Sequence, residues 1–189
     1  MEIQRMSDTY SNPRRHLLRR EAPHQTSQKG VRAANVHDAV SPRTWPDRGT
    51  NINLDDFELS VFGAVRKPLA LDWKAITELP TQSVKADLDA RSIHRPRRTW
   101  HGASLQYLLR EANVEPSAIR VTLFSDGGYF TRYGLHELIR DGGVLAYEVD
   151  GQPLSRSDGG PLRLVLPRVD PWRCAKWVRG LAVEDESAF

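Results

Sequence analysis

The sequence predicts an α+β domain organised around a mixed β-sheet, and three observations lead to that fold class. Short segments with the two-residue alternation of β-strands recur after Phe57. Only two or three segments have helical spacing, and they do not alternate with the strands as β-α-β units do. Asp150-Gly151 directly follows an apolar run, which is typical of an antiparallel hairpin because both turn positions need positive φ.

The first half of the domain is predicted to contain two strands and two helices. Phe57 to Gly63 alternates apolar and polar residues, as a half-buried strand does. Asp72 suits the N-cap of a short helix that ends before Pro80. Val84 to Leu88 alternates again, and Ser104 is placed to cap a second helix. The apolar face of that helix is formed by Leu105, Leu108, Leu109 and Ala112.

The second half is richer in predicted strands. Ile119 to Phe124 and Val144 to Val149 have the alternation and β-branched content of strands. Leu135 to Ile139 predicts one or two helical turns. Leu162 to Leu166 and Ala175 to Val183 complete the set of predicted strands.

Residues 1–50 differ from the rest in composition, and we expect a disordered tail there, with the folded domain at residues 51–189. The tail holds nine Lys and Arg residues and five acidic residues, a net charge of +4. Because the whole chain carries +3, the domain carries −1. A basic tail can contact nucleic acid or an anionic membrane. The acids are interspersed and no apolar helical face accompanies the arginines, so we expect a solvated leader without nucleic-acid binding.

Two twin-arginine pairs, Arg14-Arg15 and Arg19-Arg20, have the form that opens an export signal. Such a signal needs an apolar stretch of roughly 7–15 residues after the arginines, and a polar segment follows Arg20 instead. The longest apolar runs have the length of a strand, not of a membrane span. The single cysteine, Cys174, excludes an intramolecular disulfide. We therefore expect a cytoplasmic protein without a membrane segment.

A longer pattern connects five groups of residues between Phe57 and Glu184. The groups are Leu59 to Val65 with Leu79-Pro80, Trp100 to Leu105, Ser125 to Tyr129, Leu145 to Leu154, and Gly159 to Pro167 with Lys176-Trp177-Val178. In order and spacing they resemble the molybdopterin-binding domain of sulfite oxidases, plant nitrate reductases and their small bacterial relatives. The resemblance implies a barrel-like α+β fold that holds the molybdenum cofactor.

The resemblance also implies which side chains hold that cofactor. The arginine of the family's G-x-P-x-R motif corresponds to Arg163, and the lysine of its K-W motif corresponds to Lys176. Arg173 precedes that lysine by three residues and joins the expected set. A dianionic phosphate suits the planar fork of arginine and the point charge of lysine. The alternative is that these cations belong to sheet residues that point into solvent.

The pattern breaks at positions that contact the cofactor in relatives. Relatives that perform oxygen-atom chemistry bind molybdenum through one cysteine thiolate, and the corresponding position here is Asp89 or Ala90. Asp89 is therefore the candidate metal ligand, as a harder donor than a thiolate, and a strand-end turn residue is the alternative. The histidine of the family's H-G-x-P-x-R motif corresponds to Asp158, whose charge is expected to weaken phosphate binding.

Several basic residues follow Asp89 and are expected to border the mouth of the site, where they suit an anionic ligand. They are Arg91, His94, Arg95, Arg97 and Arg98. The two functions left open are a molybdopterin-dependent oxidoreductase domain of the sulfite oxidase class and a catalytically inactive binding module on the same fold. The first would need an external electron acceptor protein, since the sequence has no recognisable haem-binding or flavin segment. The second would hold a small anionic ligand or a protein partner without molybdenum.

Overall fold

The computed structural model describes residues 31–33, 53–88 and 97–186. The described strands are β1 Val31–Ala33, β2 Glu58–Gly63, β3 Leu69–Asp72, β4 Thr81–Ala86, β5 Arg98–Ser104, β6 Ala118–Ser125, β7 Phe130–Gly134, β8 Val144–Val149, β9 Gln152–Pro153, β10 Arg163–Val165 and β11 Val178–Asp185. The α-helices are α1 Trp73–Glu78, α2 Leu105–Glu111 and α3 Leu135–Arg140. Short strands with few helices confirm the predicted α+β class.

The strands form two sheets. The first has the order β1-β3-β2-β11-β6-β7, in which β2 and β11 pair in parallel and the remaining neighbours pair antiparallel. The second has the order β10-β8-β5-β4, with β9 also paired to β8. The mixed sheets of the predicted barrel-like fold do not close into a barrel, because both keep open edges among the described strands. At the β10 edge, the backbone is hydrogen-bonded to the segment before β11 and not to a further strand of this sheet.

The two sheets and the three helices share one apolar core. The apolar face predicted for α2 is inside it: Leu105, Leu108 and Ala112 have no exposed surface. Burying each leucine of this kind contributes about 1.5–3 kcal/mol. A smaller cluster surrounds Trp100, whose indole N–H donates to the carbonyl oxygen of Ala86 at 3.1 Å. This second cluster is on the side of the sheet that carries Arg163.

Capping and turn residues in the sequence correctly predicted where several helices and turns begin. The Asp72 carboxylate accepts the Ala75 N–H at 2.8 Å and caps α1 as predicted. Asp150 and Gly151 have φ of 52° and 76°, as the predicted tight turn requires. Ser104 precedes α2 but makes no side-chain cap, because its hydroxyl donates to the Gln82 amide oxygen at 3.4 Å.

Some predicted boundaries were wrong by several residues. The strand predicted from Val84 begins at Thr81, because β4 is paired to β5 along its whole length. The strand predicted from Ala175 begins at Val178. Within the predicted tail, Val31–Ala33 pairs with β3, and the rest of residues 1–50 lies outside the described residues, so its disorder stays a prediction. No helix in the described part of the chain is both long and apolar enough to span a bilayer.

Candidate functional site

A pocket of about 500 Å³ lies where the start of β10, the segment before β11 and the turn after β6 meet. Its walls are formed by Leu88, Tyr129, Arg163, Pro171, Trp172, Cys174, Lys176 and Trp177. Backbone pairing explains why Arg163 and Lys176 share it. The Leu164 N–H donates to the Ala175 carbonyl oxygen at 2.8 Å, and the Val178 N–H donates to the Leu162 carbonyl oxygen at 2.9 Å. The segment before β11 therefore lies alongside β10.

Arg163 is the buried cation of this pocket. The residue is 4% exposed, and its guanidinium carbon lies 5.1 Å from the centre of the Trp100 ring. One terminal nitrogen, Nη1, donates to the Asp158 carbonyl oxygen at 2.7 Å, while Nε is buried without a hydrogen-bond partner. Burial lowers the pKa of Arg163 from its ordinary value. A buried donor without a partner is costly, so the fold keeps this cation in the pocket wall at an energetic cost.

Lys176 brings a second cation to the same pocket. Its ammonium donates to the Ser157 carbonyl oxygen, and its stem packs against Gly159. A methyl group at Gly159 would lie 2.7 Å from Lys176 Cγ and 3.2 Å from Arg163 Cδ. Gly159 also has φ of 103°, where residues with a side chain are strained. A residue without a side chain is therefore required where the two cationic side chains pass the loop.

The loop of residues 155–160 is attached to the pocket wall through consecutive carbonyl oxygens. Those of Ser157 and Asp158 accept from Lys176 and Arg163, and that of Arg156 accepts the Trp177 indole N–H at 3.0 Å. Trp177 has φ of 56°, an unfavourable value for a non-glycine residue. Its backbone N–H donates to the Gly159 carbonyl oxygen at 3.0 Å, which helps to hold that conformation. The loop and the two cations thus form one hydrogen-bonded unit.

Arg173, the third predicted cation, does not line the pocket. It lies in the 3-10 turn Pro171–Arg173, and its guanidinium donates to Glu137 Oε1 at 3.1 Å and to the Arg132 carbonyl oxygen at 3.4 Å. The same group stacks over the Tyr133 ring at 4.6 Å. The structure therefore brings Arg163 and Lys176 together and directs Arg173 towards α3.

Asp158 contacts the pocket through its backbone and not through its charge. The carboxylate accepts Arg98 Nη1 at 2.9 Å and the Ser155 hydroxyl at 2.8 Å. Arg98 Nε donates to Asp150 at 2.8 Å, and this hydrogen bond is the main reason that the pKa of Asp150 is lower than usual. The anion expected to repel a phosphate is thus paired with a cation that sequence spacing did not connect to it.

The donors of the pocket fit an anionic group of the size of a phosphate. The pocket is lined by two cations, Arg163 and Lys176, and no acidic side chain is among its lining residues. Arginine and lysine bind phosphate through complementary geometry and charge. A pocket of this volume is also in the range of small-molecule and cofactor sites.

Comparison with protein families agrees with that donor set. The model of the family described as the oxidoreductase molybdopterin binding domain matches residues 46–188. The chain belongs to this family. This result confirms the sequence resemblance, and it makes a pterin cofactor the ligand class of the domain.

Relatives of this molybdopterin-binding domain include both small and long proteins. The chain is 29% identical over 136 residues to the oxidoreductase YuiH of Bacillus subtilis, covering 71% of this chain and 69% of that protein. It is 29% identical over 166 residues to mitochondrial sulfite oxidase of Drosophila melanogaster, covering 72% of this chain and 29% of that protein. The sulfane dehydrogenase SoxCD of Paracoccus pantotrophus has the same fold, with a TM-score of 0.64 and 22% identity, over 72% of this chain and 40% of that chain. The chain thus spans less than half of these two longer relatives.

The position that corresponds to the family's metal-binding cysteine lies just beyond a described range of the structure. Asp89, the candidate ligand, lies outside the described residues, as do Arg91, His94 and Arg95. Leu88, the residue before it in the sequence, lines the pocket. The described ranges contain no group of three His, Cys, Asp or Glu side chains that could hold a metal ion. The described residues therefore fit the pterin phosphate, and they do not themselves provide a metal centre.

Sequence reasoning did not predict the other six residues that line the pocket, and four of them form its thiol and aromatic walls. Cys174 is 3% exposed and borders the pocket, with its thiol near the Leu166 carbonyl oxygen, and burial raises its pKa. Tyr129, Trp172 and Trp177 provide aromatic walls, and the Tyr129 hydroxyl donates to the Trp172 carbonyl oxygen at 2.9 Å. Trp172 remains 70% exposed, which is unusual for so large a side chain. That exposure is visible only in the fold, although Tyr129 and Trp177 are in the motifs that carry the resemblance.

Proposed function

We propose that this chain is a molybdopterin-dependent oxidoreductase domain of the sulfite oxidase class, in which Arg163 and Lys176 bind the phosphate of the pterin. The observation that supports this assignment is that two cations, the buried Arg163 and Lys176, line one pocket that has no acidic lining residue. A phosphate in this pocket would be bound by the complementary charge and geometry of an arginine and a lysine.

Each wall of the pocket has a role in this proposal. Arg163, fixed between Trp100 and the Asp158 carbonyl oxygen, provides a preorganised cation. Lys176 provides a second charge that can move from the Ser157 carbonyl oxygen to a ligand oxygen, because its stem has rotatable bonds. Tyr129 and Trp172 provide flat surfaces suited to a ring system. These groups bind and orient the ligand, and they shield it from water on the Cys174 side.

When bound, the molybdenum cofactor supplies the redox and oxygen-atom chemistry. We propose Asp89 as the residue that faces the metal, because it takes the position of the thiolate in catalytic relatives and follows the pocket residue Leu88. A carboxylate is a harder donor than a thiolate, so the metal would have a different preference for its other ligands. Electrons would leave to an external acceptor protein.

A second candidate is a non-catalytic module that binds an anion in the same pocket without molybdenum. The observation that favours it is that Cys174, the single cysteine of the chain, lies beside Arg163 in the pocket and not at the family's ligand position. Both candidates use Arg163 and Lys176, and they differ only in the metal.

Metal and pterin analysis of the purified protein separates the two. The protein is produced in a host that synthesises the cofactor, and bound molybdenum is counted per chain by mass spectrometry. Bound pterin is measured by fluorescence after acid oxidation. The oxidoreductase proposal expects both in near-stoichiometric amounts. Pterin without molybdenum would support the binding module, and absence of both from folded protein would contradict the oxidoreductase assignment.

A further inference from the structure

A chain of alternating charges leads from the surface of the second sheet to the buried arginine of the pocket. Asp150 accepts Arg98 Nε at 2.8 Å, and Asp158 accepts Arg98 Nη1 at 2.9 Å. Arg98 is therefore shared between two carboxylates. Asp158 in turn accepts Arg163 Nη1 through its backbone carbonyl oxygen at 2.7 Å. The hairpin turn at Asp150 is thereby connected to the cation that faces the ligand.

Trp100 is common to both arginines. The guanidinium carbon of Arg98 lies 5.5 Å from the Trp100 ring centre and that of Arg163 lies 5.1 Å from it. The ring is nearly fully buried, and its indole N–H is fixed to Ala86. A fixed aromatic ring next to both guanidinium groups limits where each can move.

Asp150 holds Arg98 in this position. Besides its bond to Arg98, the Asp150 carboxylate accepts the Thr99 N–H at 2.9 Å, and the Asp150 N–H donates to the Thr99 carbonyl oxygen at 2.8 Å. Arg98 belongs to β5 and Asp150 to the turn after β8, and these strands are paired. The sheet therefore fixes the position from which Arg98 reaches Asp158.

We propose that Arg98 is a positioning residue for the anion pocket, and that it acts by neutralising the Asp158 carboxylate. This inference rests on the proposed function, because it concerns the affinity of the same pocket. Asp158 lies five residues before Arg163 and is already attached to it through its backbone. With Arg98 in place, the Asp158 charge is engaged and Arg163 remains available to a ligand. Without Arg98, the Asp158 carboxylate would lose its ion pair and would compete with an anionic ligand for electrostatic attraction to Arg163.

The proposal predicts a distinctive pattern of anion affinities among the variants. Arg98→Gln should weaken anion binding although Arg98 does not line the pocket. Asp158→Asn should leave binding unchanged or slightly tighter, because it removes the competing charge and can keep the contact with Ser155. The double variant should recover most of the affinity that Arg98→Gln loses. If Arg98 only stabilised the loop, Asp158→Asn would break the same ion pair and weaken binding about as much as Arg98→Gln, and the double variant would not recover affinity.

The experiment titrates inorganic phosphate into the full chain and follows binding by isothermal titration calorimetry at constant ionic strength. We expect about a tenfold weaker affinity for Arg98→Gln, equivalent to about 1.4 kcal/mol. We expect a change of about twofold or less for the double variant and for Arg98→Lys, which keeps the charge. Arg168→Gln is the matched control, because it removes the same charge from an exposed residue that does not line the pocket. Its affinity should stay within about twofold of wild type, as screening of exposed charges predicts.

Two results would overturn the inference while leaving the proposed site in place. One is a double variant that binds phosphate as weakly as Arg98→Gln, and the other is an Arg98→Gln affinity equal to that of wild type. Circular dichroism of each variant confirms that the compared proteins are folded. If wild type shows no saturable phosphate binding, or if Arg163→Gln binds as well as wild type, the proposed pocket itself fails. The failure of the site and the failure of the positioning role are thus distinguishable.

Discussion

Asp126 forms a buried ion pair that fixes the turn beside the pocket. Arg179 Nε donates to both carboxylate oxygens of Asp126, at 3.0 and 3.1 Å. The side chains of Arg179 and Asp126 are only 6% and 11% exposed, and the guanidinium carbon lies 4.1 Å from the centre of the Phe57 ring. Arg179 Nη2 already has no partner. Removing the carboxylate would leave a buried cation without its ion-pair partner.

The expected cost of Asp126→Ala follows from that burial. Breaking a buried ion pair by removing one partner costs about 3–5 kcal/mol, because the other charge stays buried without compensation. A domain with a free energy of unfolding of about 5–15 kcal/mol can lose this amount and remain folded in buffer. With a urea dependence of about 2 kcal/mol per molar, the midpoint should fall by about 2 M.

Urea unfolding followed by tryptophan fluorescence measures this loss. Glu78→Ala is the control, because the Lys74–Glu78 pair at 3.7 Å has side chains that are 73% and 66% exposed, and its loss should cost under about 0.5 kcal/mol. Combining Asp126→Ala with Arg179→Met should cost less than the sum of the single changes, by at least about 2 kcal/mol. A cost below about 1 kcal/mol for Asp126→Ala, or additive single changes, would refute this reasoning.

Three further variants test the loop and the hairpin turn. Gly159→Ala should lower the free energy of unfolding by about 2–4 kcal/mol, since its methyl group would meet Lys176 at a positive φ. Gly151→Ala, with φ of 76° but open space around it, should cost only about 1 kcal/mol in the same urea titration, and equal costs would contradict the packing argument. The hydrogen bond from Arg98 lowers the pKa of Asp150, so its stabilisation is present above about pH 4 and is lost as pH falls through the lower folded value. The difference in stability between wild type and Asp150→Asn should therefore shrink below about pH 4, and a constant difference from pH 6 to 3 would exclude this linkage.

The features predicted correctly from the sequence are those set by neighbours along the chain. The Asp72 cap depends on an N–H three residues away, and the Asp150-Gly151 turn depends on the two residues themselves. The buried face of α2 depends on a spacing of three and four residues. Each of these signals is complete within one short segment, so no tertiary information was needed.

The features that were missed depend on distant partners. Ser104 seemed suited to capping α2, but Gln82, from the paired strand β4, takes its hydroxyl. Asp158 was expected to weaken an anion site. Its ion pair with Arg98 could not be foreseen, because Arg98 is 60 residues away in the sequence. Arg173 is three residues from Lys176, yet the 3-10 turn directs it to Glu137 on α3.

The lining residues of the pocket also divide into those that the sequence predicted and those that only the fold revealed. The motifs of the family located Arg163 and Lys176 within it, whereas their partners Trp172 and Cys174 come from a segment without regular spacing. Asp89 stays a prediction, since it lies outside the described residues.

The most direct test of the account is the pterin content of Arg163→Gln, compared with wild type and with the exposed control Arg168→Gln, all purified from one cofactor-synthesising host. The account predicts that Arg168→Gln retains the wild-type amount per chain and that folded Arg163→Gln retains less than about a tenth of it, since a charged hydrogen-bonding partner contributes about 1.5–3 kcal/mol. Equal pterin in all three proteins would contradict the central claim that the buried arginine of this pocket holds the cofactor.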